Sequence, residues 1–181
     1  PCPLAAGARQ GGLGGVRGAL HGGELHSESA CTAARLLADA GLTAHLDVGD
    51  FFGFSPNDRK FDVVLGNPPY VRYQDFTGVS RARSKEAALR AGVNLTSLAS
   101  SWAAFAVHAA LFLQPGGRLG LVLPAELLRV NYASAVRRLL MAPFSRIELV
   151  LFTERVFPGV QQAVVLLLAE VAQPAGRAPA T

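Results

Sequence analysis

Apolar residues recur along this chain in a helical rhythm and a strand rhythm, separated by breaks rich in Gly and Pro. A short strand is expected at 19–25. Ser27 then reads as a helix cap, with Ala30, Ala33, Leu37 and Ala40 on one face and Gly41 as the stop. Alternation at 43–48 predicts a second strand ending at Asp50-Phe51. Gly53, Pro56, Asn57 and Asp58 then turn the chain into 61–65, read as a buried parallel strand. Residues 74–94 carry Arg81, Arg83, Lys85 and Arg90 against Asp75 and Glu86, and read as a mobile loop with room for a short helix. From 95 to 113, Leu98, Trp102, Phe105, Ala109 and Phe112 are spaced by four and three. That predicts a core-facing helix stopped by Gln114-Pro115-Gly116-Gly117. A strand at 118–123, a helix at 130–140 and strands at 147–152 and 162–169 follow, the last two flanking Phe157-Pro158-Gly159.

Strands alternating with helices predict an α/β, Rossmann-like three-layer sandwich with a mostly parallel sheet. The late pair of strands supplies an antiparallel strand at one edge. Residues 1–18, rich in Gly and Ala without period, read as an arm; 19–172 as one domain; and the Pro/Ala-rich 173–181 as a flexible tail.

Composition narrows the class. Half of the 181 residues are apolar, enough for a sizeable core and too many for a disordered chain. With 17 Lys plus Arg against 13 Asp plus Glu, the net charge of +4 permits a nucleic-acid partner without requiring one. Cys2 and Cys31 are neither at metal-ligand spacing nor dense enough for a disulfide framework. His21, His26, His45 and His108 are scattered, so no metal site is expected. His108 is expected on a helix surface or in the core, and Trp102 and Phe105 in the core. No run approaches the ~18 apolar residues of a membrane span, and a soluble, cytoplasmic protein without membrane partner is expected.

The candidate chemistry sits at the exit of the third strand, in Asn67-Pro68-Pro69-Tyr70. An Asn amide oxygen and the next carbonyl can both accept from one NH2 group, while a Tyr ring stacks on the flat base that carries it. Two prolines stiffen this backbone and leave its carbonyls free of ladder bonds. Carboxyl ends of strands are where open α/β sheets bind ligands.

The run Phe61-Asp62-Val63-Val64-Leu65-Gly66-Asn67-Pro68-Pro69-Tyr70-Val71-Arg72 resembles the catalytic motif of amino-group DNA adenine methyltransferases of the restriction-modification type. These are class I S-adenosylmethionine-dependent enzymes with a seven-stranded Rossmann-like sheet, and the order of elements from about residue 19 follows theirs. The resemblance implies Asn67, Pro68, Pro69 and Tyr70 as catalytic residues acting on the amine of a flipped adenine in double-stranded DNA. It implies Glu24 on the ribose hydroxyls of S-adenosylmethionine and Asp50-Phe51 on its adenine. Phe157, in Val156-Phe157-Pro158, would be a second wall for the target base. Arg72 would be the phosphate contact.

The family's glycine loop is not intact: Pro1-Cys2-Pro3-Leu4-Ala5-Ala6-Gly7 and Gly11-Gly12-Leu13-Gly14-Gly15 are degraded echoes. The first strand and that loop are therefore expected to be degraded or missing. Pro1 in place of Met and a missing target-recognition domain lead to the expectation of a chain truncated at both ends. Two other readings stay open: the same chemistry on a protein glutamine or an RNA base, and a non-catalytic remnant that no longer binds cofactor.

Overall fold

The structure, a computed structural model, describes residues 20–57, 59–71, 78–90, 92, 101–128, 137–138, 143–152 and 163–173. The chain divides into two compact units, Pro1–Phe54 and Ser55–Thr181.

In the first unit, β1 (Leu20–Glu24), α1 (Ser27–Asp39) and β2 (Ala44–Val48) follow the predicted order. β1 and β2 pair in parallel, in register from Leu20 with Ala44 to Glu24 with Val48. Ser27 is not the cap. His26 takes that position with extended backbone and no side-chain cap bond, and its carbonyl accepts from Ala30 N at 3.0 Å. The Glu24 carboxylate instead accepts from His26 N at 3.2 Å, so the acid that ends β1 also fixes the entry to α1. The helix stops where Gly41 takes φ +74°, with Leu42 N donating back to Leu37 O at 2.9 Å. Of the predicted apolar face, Ala30 and Leu37 are buried, while Ala33 and Ala40 are half-buried.

The second unit holds β3 (Phe61–Gly66), α2 (Gly78–Arg90), α3 (Ser101–Ala110), β4 (Leu113–Pro124), β5 (Phe144–Leu151) and β6 (Val164–Val171). Its sheet runs β3-β4-β6-β5, with β3 parallel to β4 and β6 antiparallel to both β4 and β5. The strand that runs against the others is thus β6, one place in from the edge. The described residues therefore contain six strands, in sheets of two and four. The expected remnants of a glycine loop, the helix at 130–140 except 137–138, Arg72 and Phe157 lie outside the described residues.

Register sorts the sheet into two faces. Leu119, Leu121 and Leu123 of β4 stand beside Ala169, Leu167 and Val165 of β6, each at most 6% exposed. With Trp102, Val107 and His108 of α3, all at 0%, they make the core. Each such Leu or Val contributes roughly 1.5–3 kcal/mol by burial. Trp102 is core as expected, and Phe105 is half-buried. His108 is fully buried and meets Phe112 edge-on, ring centroids 5.1 Å apart.

Three expectations change. The charged segment after the tetrad contains a full helix, α2, because Ala and long unbranched side chains are good helix formers. Its buried stripe is Ser84, Ala87 and Ala88, too small to stand out as an apolar period. Strand β3 is parallel but not buried on both faces, since Val63 and Leu65 are 52% and 64% exposed. Finally, Gln114-Pro115-Gly116-Gly117 is not the helix stop. The helix ends at Ala110, and those residues form an irregularity inside β4, where two steps along β3 face five along β4.

Candidate active site

Because β3 and β4 are parallel, their carboxyl ends lie side by side. Asn67–Tyr70 leaves one, and the 3₁₀ turn Ala125–Leu128 leaves the other. Neither Pro68 nor Pro69 has an N–H, so the loop cannot hold itself by ladder bonds and is anchored by side chains. Pro68 is buried, Asn67 and Pro69 are exposed, and Tyr70 is half-buried. The Tyr70 hydroxyl lies 2.8 Å from Val122 O of β4 and 3.1 Å from Asn67 Oδ1. One phenol proton serves both acceptors, and Oδ1 keeps a second lone pair for another donor. Burial pushes the Tyr70 phenol up from 10.0 to about 12, so it stays neutral and donating near neutral pH.

Beyond Tyr70 the chain is held by α3. Ser101 Oγ donates to Pro69 O at 2.5 Å and accepts from Val71 N at 3.0 Å, and Ser101 N donates to Val71 O at 3.1 Å. Trp102 Nε1 donates to Glu126 Oε1 at 2.6 Å, joining α3 to the turn after β4. Sequence reading did not single out Ser101 or Glu126. The predicted helix began at 95, which put Ser101 inside it rather than at its start, and its partners are 30 and 32 residues away. Ala125 N donates to Ala163 O at 2.9 Å, and Pro124 pairs with Val164. The start of β6 is therefore at this same end of the sheet.

In the first unit Glu24 and Asp50 follow one another across the paired ends of β1 and β2, with Gly49 N donating to Glu24 O at 2.9 Å. Asp50 caps the 3₁₀ turn Phe51–Gly53, its Oδ1 accepting from Phe52 N at 3.1 Å. Phe52 is buried and Phe51 half-buried. The Phe54 ring lies so close to Gly23 that a Cβ there would come within 2.6 Å of it. Two carboxylates at adjacent strand ends are acceptors that suit the donating hydroxyls of a sugar and an exocyclic amine. Among the described residues no cluster of His, Cys, Asp and Glu could hold a metal, and no helix is long and apolar enough to cross a membrane.

The Type II methyltransferase M.HincII of Haemophilus influenzae is 29% identical over 120 residues, 66% of this chain and 24% of that protein. M.XamI of Xanthomonas campestris pv. amaranthicola, also a Type II methyltransferase, is 32% identical over 99 residues, 54% of this chain and 19% of its own. The chain thus spans about a quarter or less of the length of these relatives. A putative class I S-adenosylmethionine-dependent methyltransferase from Listeria monocytogenes superposes with a TM-score of 0.73. It is 18% identical, with 98% of this chain and 52% of that one covered. The M protein of the Type I restriction enzyme EcoKI gives 0.61 at 17% identity, covering 91% and 35%. These two likenesses establish the Rossmann-like fold. The model of the Eco57I restriction-modification methylases matches residues 33–157, which include the tetrad with both strands that frame it, and the chain belongs to that family.

Proposed function

We propose that residues 19–172 are the catalytic domain of a DNA adenine N6-methyltransferase of a restriction-modification system, with 1–18 as an arm and 173–181 as a tail. The observation that carries this reading is the exposed Asn67 amide at the exit of β3, beside a Tyr70 whose hydroxyl is held by Val122 O. Asn67 Oδ1 and the Pro68 carbonyl accept the two N–H bonds of the target amine, directing its lone pair outward. Tyr70 stacks on the base, and Phe157 is assigned the opposite wall. Extruding the adenine costs a few kcal/mol, which stacking and these hydrogen bonds offset. Arg72 is assigned to a flanking phosphate. Phosphate contacts carry no sequence information, so base readout is assigned to a separate recognition domain.

The cofactor is S-adenosylmethionine, with Glu24 on its ribose hydroxyls and Asp50 and Phe51 at its adenine; the paired carboxylates fit that group. When bound, it supplies an electrophilic methyl: the N–C bond forms as the C–S bond breaks, and the amine proton passes to solvent.

Asn67→Ala tests the reading. Methyl transfer from labelled S-adenosylmethionine to unmethylated adenine-containing DNA should fall by roughly 10²–10³, with cofactor affinity by calorimetry unchanged. The product in the wild-type reaction should be N6-methyladenine. Methyl found on a protein glutamine or an RNA base instead, or equal turnover by the variant, refutes the assignment.

A further inference from the structure

We propose that Ser101 is the positioning residue of the Asn67–Tyr70 loop: by fixing the peptides on either side of Tyr70 it sets the direction of the Pro68 carbonyl and of the Tyr70 ring. This rests on the function proposed above, since the groups it aims are those that receive the amine and the base.

The loop needs an external anchor, and Ser101 supplies three bonds to it. Its hydroxyl donates one proton and accepts another, which matches the Pro69 carbonyl on one side of Tyr70 and the Val71 N–H on the other. Its own N–H, which in the first turn of a helix has no partner within the helix, is used by Val71 O. Ser101 is 1% exposed, so water cannot readily replace these bonds. The support behind it is also fixed. Trp102, 0% exposed, ties the same helical turn to Glu126, and Tyr70 is itself bonded to Val122 O. The start of α3 therefore joins the two loops that leave β3 and β4. A hydroxyl held on such a rigid support orients reacting groups without touching them, and displacements of about 1 Å in such arrangements cost roughly 10² in rate.

The test uses Ser101→Ala and Ser101→Thr in the full chain. Three readouts are compared: hydrogen exchange at the Val71 amide, kcat and KM for methyl transfer to unmethylated DNA, and emission of Trp102, the single tryptophan. Ser101→Ala should speed Val71 exchange by about tenfold, as expected for one lost hydrogen bond. It should lower kcat by about 10–100-fold, with KM for DNA within about twofold and Trp102 emission native. Ser101→Thr, which keeps the hydroxyl, should recover most of both. Unchanged Val71 exchange, unchanged kcat, or a Thr variant as slow as Ala with native emission overturns the proposal. If Ser101→Ala does not fold, Ser101→Cys, similar in volume but a far weaker donor, is judged by the same criteria. A wild type that transfers no methyl to DNA refutes the proposed function, while Val71 exchange still decides whether Ser101 holds the loop.

Discussion

Tyr70 has two separable parts, a ring that the proposed function sets against the target base and a hydroxyl bonded to the backbone of β4. The hydroxyl is the one that pH can interrogate. Its pKa in the folded chain, about 12, exceeds the ordinary 10.0, so the unfolded chain loses this proton first as pH rises. The stability tied to the neutral phenol is complete below pH 10.0 and is lost as pH rises toward about 12. The difference in phenolate absorbance between wild type and Tyr70→Phe should therefore titrate near 12. A midpoint at 10.0 would mean that the hydroxyl is not buried against Val122. Tyr70→Phe keeps the stacking ring and loses one hydrogen bond, costing about 0.5–1.5 kcal/mol of stability in denaturant melts. Asn67 belongs to the same scale, and its pattern was fully legible in sequence. Ser101 was not, because no local pattern marks a hydroxyl whose partners lie across a long connection.

At the scale of elements, legibility followed the size of the side chains that do the packing. α3 was read from its Trp and Phe positions, and β4 and β6 from continuous apolar runs. α2 was hidden because its buried residues are Ser84, Ala87 and Ala88, while Arg83, Lys85, Glu86 and Arg90 are exposed. The misread Gln114–Gly117 stretch has a steric explanation. A Cβ on Gly117 would stand 2.9 Å from Gln114 O and 3.1 Å from Phe61 O, both backbone atoms that cannot swing aside. A glycine there marks the close approach of β3 to the irregular start of β4, not the end of a helix. Gly117→Ala should accordingly cost about 1–3 kcal/mol in thermal or chemical unfolding. Gly120→Ala should cost less despite a nominal 2.6 Å approach, because it meets the tip of the Leu65 side chain, which is 64% exposed and free to turn away. Equal costs at the two positions would contradict this account.

For the whole molecule, the order of strands and the family were readable, whereas the division into Pro1–Phe54 and Ser55–Thr181 and the inward place of β6 were not. Alternating patterns report which residues face a core, but strand neighbours depend on long-range pairing that no local window contains. That same long-range pairing governs time as well as shape. β5 and β6 adjoin in sequence and pair directly, whereas the Tyr70 to Val122 bond closes a span of 52 residues. Loop-closure entropy must be met before such a span yields contacts, and the pairing of β4 with β6 closes a span as long, from Arg118 to Glu170, so β5 and β6 should pair first and β3 and β4 should join later. In pulse-labelled refolding, amides of Val164–Val171 should become protected before those of Val63–Gly66, and simultaneous protection would refute that sequence. A refolding chain would thus hold a two-stranded ribbon for a short interval before its Asn-Pro-Pro-Tyr loop exists as a shape at all.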